Sequence, residues 1–207
     1  MIKKGIFIAF EGIDGSGKST QIQLLKQRLE SLGYPIYCSF EPTDNPIGTL
    51  IRTIIKGEEK ADNKTIAALF AADRLHHILN EKDGLLKKIN DGYIILADRY
   101  YFSSYAYQSL SVDMEWIIEL NKKAAELLRP DINLFIDIEV EEAMNRIRMS
   151  RSHIDIYESE NLLRNIYSNY KRAFSLLENE ENIVSIKADE QKEKTQEKIW
   201  DVISPLL

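Results

Sequence analysis

Residues Gly12 to Ser19 read Gly-Ile-Asp-Gly-Ser-Gly-Lys-Ser and fit the pattern G-x-x-x-x-G-K-[ST]. Glycines let a backbone curl so that its N–H groups point at phosphate oxygens. Lys18 would then reach the β- and γ-phosphates of a nucleoside triphosphate, and the Ser19 hydroxyl would be a ligand of Mg²⁺. The predicted triphosphate-binding residues are Gly12, Ile13, Asp14, Gly15, Ser16, Gly17, Lys18, Ser19 and Thr20.

Asp98 and Arg99 form a second candidate for phosphate chemistry, at the end of an apolar run. A carboxylate at this point could hold the Mg²⁺ shell or orient an acceptor phosphate. The planar guanidinium of Arg99 suits a phosphate group. The dipeptide alone is equally compatible with a structural salt bridge. Beside a phosphate loop, we interpret it as functional and predict Ser19 and Asp98 as the metal ligands.

Five short apolar runs alternate with helical patterns along the chain. The predicted strands are 5–11, 36–40, 93–97, 132–138 and 182–186. The predicted helices are 17–32, 47–56, 64–90, 113–128, a helix from 141 into the polar segment 150–155, 162–177 and 191–203. This alternation predicts an α/β protein with the P-loop NTPase fold, a five-stranded parallel sheet covered by helices on both faces. We expect one domain spanning 1–207, with Glu11, Glu41 and Asp98 at the ligand-binding edge of the sheet.

Composition restricts the partners. The 27 basic and 33 acidic residues give a net charge of −6, which does not favour binding to nucleic acid or to an anionic membrane. The single cysteine, Cys38, excludes an internal disulfide and is expected to be a small buried residue on a strand. We find no signal-peptide pattern and no run of about 18 apolar residues, so we expect a cytoplasmic protein.

Two other classes of nucleotide-binding protein compete with a kinase. A GTP-dependent switch would carry a D-x-x-G element and an N-K-x-D element. No D-x-x-G occurs outside the phosphate loop, and the segment 121–124 reads Asn-Lys-Lys-Ala, without the final Asp. The switch is therefore disfavoured, whereas a non-catalytic nucleotide-binding module remains open.

Four motifs in order resemble thymidylate kinases of bacteria and archaea, and the resemblance extends over nearly the whole chain. These motifs are the phosphate loop 10–20, the segment Leu-Phe-Ala-Ala-Asp-Arg at 69–74, the signature that starts with Asp-Arg-Tyr at 98–100 and continues to 108, and Arg-Pro-Asp at 129–131 leading into Phe-Ile-Asp at 135–137. The resemblance implies a nucleoside monophosphate kinase with a lid, a homodimer, and Mg²⁺-dependent transfer from ATP to dTMP. A kinase for another pyrimidine (deoxy)nucleotide or for a deoxynucleoside is the alternative enzyme.

The same resemblance implies which residues hold the acceptor. Phe70 would stack on the thymine ring, Arg74 would reach the thymine or its monophosphate, and Arg99 would bind the monophosphate. One helical turn separates Phe70 from Arg74, so both side chains lie on one face. Phe70 on an apolar helix face is also compatible with an ordinary core position.

Four further acceptor-side residues follow from the resemblance. Ser104 and Gln108 would lie near the polar edge of the base, and Tyr107 would crowd the 2′ position of the sugar. Glu41 would help to hold the metal or the acceptor. Phe40 stands where the family usually has an arginine before its Glu-Pro motif.

The phosphate loop lacks a positive charge that one branch of the family carries. That branch has an arginine within the loop, at the position that is Gly15 here. The resemblance to the other branch places the missing cation on a lid at about residues 146–158. On a helix Arg148 and Arg151 share a face and Arg146 points away. We predict Arg151 as the catalytic lid arginine and Arg148 as a second ATP-binding arginine.

If Arg151 stabilises the transferring phosphoryl group, Arg151→Ala lowers kcat far more than it raises KM for ATP. Steady-state kinetics with ATP varied at saturating dTMP measure both parameters. A near-normal kcat in this variant would overturn the assignment.

Overall fold

The protein forms a single parallel β-sheet in the computed structural model, which describes residues 5–150 and 159–207. The strands are β1 (Ile6–Glu11), β2 (Ile36–Phe40), β3 (Ile94–Asp98), β4 (Ile132–Asp137) and β5 (Ile183–Lys187). Their order in the sheet is β2-β3-β1-β4-β5, and all neighbours are parallel. The predicted α/β fold is confirmed.

Helices cover both faces of this sheet. They are α1 (Lys18–Ser31), α2 (Pro46–Ile55), α3 (Asn63–Leu79), α4 (Leu85–Asn90), α5 (Tyr101–Tyr107), α6 (Met114–Leu127), α7 (Val140–Ser150), α8 (Glu160–Leu177) and α9 (Lys192–Ile203), with short 3₁₀ turns at Gln108–Leu110 and Ser204–Leu206. Helices α1 and α9 contribute to one hydrophobic cluster, and helices α3 to α8 contribute to the other. Within the described ranges, no helix is both long and apolar enough to cross a membrane.

Strand β1 is the centre of the molecule. Its side chains alternate between the two clusters: Phe7 and Ala9 join one, and Ile8 and Phe10 join the other. Burial on both faces explains why this strand reads as a continuous apolar run rather than as an alternating one. Strand β1 lies between β3 and β4, so the connections on its two sides run in opposite directions across the sheet. In open α/β sheets, ligands bind at the carboxyl ends of the strands at such a point, and the loop after β1 begins there.

The predicted helix 64–90 is interrupted in the structure. Helix α3 ends at Leu79, where Asn80 Oδ1 accepts hydrogen bonds from the backbone N–H groups of Lys82 and Asp83. At Gly84 an added Cβ atom would lie 2.4 Å from the carbonyl oxygen of Asn80, so the turn requires glycine. Asparagine side chains that bond to the following backbone favour turns over helix, and this signal outweighs the apolar periodicity.

Helix α5 was not expected from the sequence. Its residues from Tyr101 to Ala106 are all buried, so the segment has no polar face and no amphipathic period. Cys38 also differs from expectation, because it is only partly buried. It lies on β2, an edge strand with one neighbour in the sheet.

Candidate functional site

The phosphate loop joins β1 to α1 through three glycines with positive φ. These angles are 145° at Gly12, 77° at Gly15 and 95° at Gly17, the last being the N-cap of α1. Lys18 Nζ donates to the carbonyl oxygens of Gly12 at 3.0 Å and Ile13 at 3.1 Å, so the ammonium group is held inside the loop. The positive end of α1 points at the same place. The loop is therefore built to bind an anion.

Gly15 packs directly against α7. A Cβ atom at this position would lie 2.5 Å from the carbonyl oxygen of Ala143 and 3.0 Å from Ile147 Cγ1. The helix backbone, unlike the end of a flexible side chain, cannot move aside without shifting α7. An arginine at position 15 would therefore require α7 to move, and the positive φ would add backbone strain.

Ser19 and Asp98 meet across the loop. The hydroxyl of Ser19 donates to Asp98 Oδ2 at 2.7 Å, and both residues line a cavity of about 660 Å³ above the loop. Oxygen donors of this kind suit Mg²⁺. Among residues 5–150 and 159–207 no cluster of three or more acidic, His or Cys side chains could hold a metal alone. The pair therefore fits an ion that takes most of its ligands from phosphates and water.

Arg99 connects the phosphate loop to the turn after β3. Its backbone has φ of 73°, and Nη2 donates to Asp14 Oδ1 at 2.5 Å and to Tyr107 Oη at 3.0 Å. The Tyr107 hydroxyl in turn donates to Asp14 Oδ2 at 2.9 Å. Burial opposes ionisation of Asp14, but the charges of Arg99 and Lys18 outweigh it and hold the pKa of the carboxyl below its ordinary value.

A second cavity of about 130 Å³ lies beside the loop. All seven residues predicted on the acceptor side line it, and Asp14 joins them. These seven are Glu41, Phe70, Arg74, Arg99, Ser104, Tyr107 and Gln108. Phe70 is only half-buried, which favours a role in the wall of the cavity over a core position. Asp14, Glu41 and Arg99 line both cavities, so the two spaces meet at these side chains.

Arg74 is held rigidly in the wall of the smaller cavity. The residue is 1% exposed, and its Nε donates to Glu41 Oε2 at 2.8 Å. Nη2 donates to Ser104 Oγ at 3.1 Å, and Nη1 donates to Asn121 Oδ1. Because three side chains fix the guanidinium, it can recognise a ligand only in one orientation.

Gln108 has an unused acceptor in the same wall. The residue is buried, and its Oε1 has no hydrogen-bond partner in the described part of the chain. A buried acceptor without a partner is costly, by roughly 1–3 kcal/mol. Because this atom is enclosed, a donor in the cavity would reach it only after the Gln108 side chain turns.

Arg146 of α7 separates the loop cavity from a third cavity. Arg146 lines the 660 Å³ cavity, and its Nη1 lies 3.7 Å from the position that a Cβ atom on Gly17 would take. It also lines a space of about 280 Å³ at the ends of β4 and β5, together with Asp137, Tyr167 and Lys187. A ligand that extends from the loop into this third cavity would pass Arg146.

Comparison with known proteins decides the family. A family model described as thymidylate kinase matches residues 10–199. The chain belongs to the thymidylate kinase family. It is 38% identical to the probable thymidylate kinase of Thermococcus kodakarensis, over 98% of both chains. It is 36% identical to the thymidylate kinase of Caldicellulosiruptor saccharolyticus, over 99% of this chain and 98% of the relative.

On α7 of this thymidylate kinase family member, the positions of the arginines differ from those expected. We expected Arg146 to point away from the ATP site, whereas it faces the loop. Arg148 is exposed and is not among the residues that line the loop cavity. The rotation of α7 about its axis explains this difference. Ala143 and Ile147 pack against the loop, and Arg146, next to Ile147, therefore lies on the same side of the helix. Arg151 lies outside the described residues.

Several residues that hold the site were missed by sequence analysis. Ser103 and Tyr170 contact Arg99, and Asn121 contacts Arg74. Tyr170 belongs to α8, far along the chain from the loop, and its apolar spacing within that helix indicated only a core residue. Asn121 gave a usable signal, since a polar side chain on the buried face of an amphipathic helix requires a partner.

Binding of ATP to this thymidylate kinase family member should weaken above pH 8. Burial and the nearby charge of Arg99 lower the pKa of Lys18 to about 8. Lys18 is therefore charged below this pH and neutral above it, and only the charged form attracts the triphosphate. We expect kcat/KM for ATP, which reports on the free enzyme, to fall by up to about tenfold for each pH unit above 8.

The control is Lys18→Arg, in which the guanidinium stays protonated throughout. This variant should have a lower kcat/KM but should not show the fall near pH 8. A wild-type profile that stays flat from pH 7 to about 9.5 would contradict the prediction, since the proton would be lost far above the range set by a pKa near 8.

Proposed function

We propose that this chain transfers the γ-phosphoryl group of ATP to dTMP and releases ADP and dTDP. Membership of the thymidylate kinase family supports this reaction. The observation that carries the proposal is the meeting of the two cavities at Asp14, Glu41 and Arg99. A triphosphate in the phosphate loop would face an acceptor in the smaller cavity across these side chains.

On the donor side, Lys18 and the loop N–H groups would bind the β- and γ-phosphates. The third cavity, at the ends of β4 and β5, would take the nucleoside of ATP, because Arg146 lines both spaces. Ser19 and Asp98 would hold Mg²⁺. When bound, the ion would neutralise phosphate charge.

On the acceptor side, Arg99 would hold the monophosphate of dTMP in line with the γ-phosphate. Phe70 would stack on the thymine, and the Gln108 amide would lie near the polar edge of the base. Arg74, fixed by Glu41, Ser104 and Asn121, would supply a rigid cation beside the base or its phosphate. Tyr107 would leave no room for a 2′-hydroxyl.

Catalysis would depend on positioning and charge rather than on a strong base. An oxygen of the acceptor phosphate, already ionised at neutral pH, attacks the γ-phosphorus, and the bond from that phosphorus to the β,γ-bridging oxygen breaks. Lys18, Arg99 and the lid arginine Arg151 would stabilise the charge that spreads over the transferring group. The homodimer that the family resemblance implies is part of the same proposal.

The reaction is tested by the rate of ADP release with six acceptors at equal concentration. These acceptors are dTMP, dUMP, dCMP, UMP, AMP and thymidine. We expect the highest kcat/KM with dTMP and little turnover with UMP, because the cavity would hold the thymine ring and exclude the ribose hydroxyl. ATP binding without turnover of any acceptor would instead identify a non-catalytic nucleotide-binding module.

The arginines of α7 offer a matched pair of variants. We expect Arg146→Ala to lower kcat/KM for ATP by about tenfold or more, because a charge-assisted hydrogen bond to phosphate is lost. Arg148→Ala removes the same charge two residues away, on an exposed part of the helix, and should change this parameter by less than about twofold. Equal losses in the two variants would show that only the net charge of the helix matters.

A further inference from the structure

Glu11 is a fully buried carboxylate that the mechanism above does not use. It is the last residue of β1, directly before the phosphate loop, and is 0% exposed. Oε1 accepts a hydrogen bond from the backbone N–H of Tyr100 at 2.8 Å. Oε2 accepts from the hydroxyls of Ser103 at 2.6 Å and Tyr170 at 2.9 Å. Removing a carboxylate from water is energetically costly, so its burial here requires an explanation.

The Ser103 and Tyr170 hydroxyls lie between Glu11 and Arg99 and 2.8 Å from each other, where either can donate to the other. Each hydroxyl carries a single proton, and a carboxylate carries none. When Ser103 and Tyr170 both donate to Glu11, each has only lone pairs left to offer. Arg99 Nη1 lies 3.1 Å from Ser103 Oγ and 3.4 Å from Tyr170 Oη, so it meets two acceptors. The carboxylate thereby favours the arrangement in which both hydroxyls offer lone pairs to Arg99.

We infer that Glu11 is a positioning residue that orients Arg99 toward the acceptor phosphate through the hydroxyls of Ser103 and Tyr170. The inference rests on the proposed function, in which Arg99 binds that phosphate. Nη1 is fixed by the two hydroxyls and by the carbonyl oxygen of Gly12 at 3.1 Å, while Nη2 is fixed by Asp14. The acceptor phosphate would approach a guanidinium that is already oriented.

Electrostatics supports the same connection. Burial keeps the pKa of Glu11 above its ordinary value, and the Ser103 hydrogen bond and the charge of Arg99 act in the opposite direction. The charges of Glu11 and Arg99 therefore interact across the hydroxyl groups of Ser103 and Tyr170. Removing the negative charge would leave the positive charge of Arg99 less well compensated.

Glu181 provides a matched comparison elsewhere in the fold. Its side chain is 3% exposed, and it accepts from Tyr101 Oη at 2.7 Å and Asn133 Nδ2 at 3.2 Å. It also pairs with an arginine, Arg129, at 3.2 Å. It is not among the residues that line the three cavities of the site. It is thus a buried glutamate of similar chemistry with a structural role alone.

The test is Glu11→Gln, with the affinities of dTMP and thymidine measured by calorimetry. The amide oxygen would still accept from Tyr100 N–H, so the NH₂ group would face both hydroxyls. Their protons would then turn away from residue 11, toward Arg99 or toward each other. We expect the Kd of dTMP to rise about tenfold or more, because hydrogen bonds to a charged group are lost. The Kd of thymidine, which has no phosphate, should change by less than about twofold. Glu181→Gln should lower Tm to a similar extent and leave both affinities unchanged.

Ser103→Ala and Tyr170→Phe carry the test if Glu11→Gln does not fold. Each removes one acceptor from Arg99 and keeps the carboxylate and its bond to Tyr100. Each should reduce the preference for dTMP over thymidine. If every folded variant of this cluster keeps the wild-type preference for dTMP over thymidine, the inference is wrong and the proposed function is unaffected. A wild-type protein that binds dTMP no more tightly than thymidine overturns the phosphate-binding role of Arg99, and the inference with it.

Discussion

The ion pair between Arg99 and Asp14 fixes the geometry on which both halves of the site depend. Asp14 belongs to the loop after β1 and Arg99 to the turn after β3, and these strands are neighbours with Phe10 opposite Asp98. Arg99 adopts a left-handed backbone conformation, which costs about 1–2 kcal/mol. Its hydrogen bonds to Asp14 and to the buried hydroxyls oppose this cost. The pair therefore joins the donor loop to the acceptor cavity.

The features that sequence analysis predicted well are those with a strong local signal. The spacing of the glycines and Lys18 indicates a phosphate loop, because few other backbone structures require glycines at those positions. The alternation of apolar runs with helical patterns indicates the parallel sheet. The family prediction is confirmed by the family model and by the relatives. Phe70 and Arg74, one helical turn apart, do line one cavity, although their roles remain predictions.

The features that were missed depend on contacts between distant parts of the chain. The bond from Tyr170 to Glu11 spans 159 residues, and no spacing rule predicts it. Helix α5 is buried on all sides, so it lacks the periodicity by which helices are found. The orientation of Arg146 depends on the rotation of α7 about its own axis. That rotation is set by the packing of Ala143 and Ile147, not by the arginines themselves.

The contact between Gly15 and α7 has a consequence for how such kinases diverge. The family resemblance implies two arrangements of the catalytic cation, one with an arginine in the loop and one with it on the lid. In this protein a side chain at position 15 would collide with the backbone at Ala143. A side chain at position 15 therefore requires α7 to move. We expect a substitution there to lower stability unless residues of α7 that contact the loop change with it.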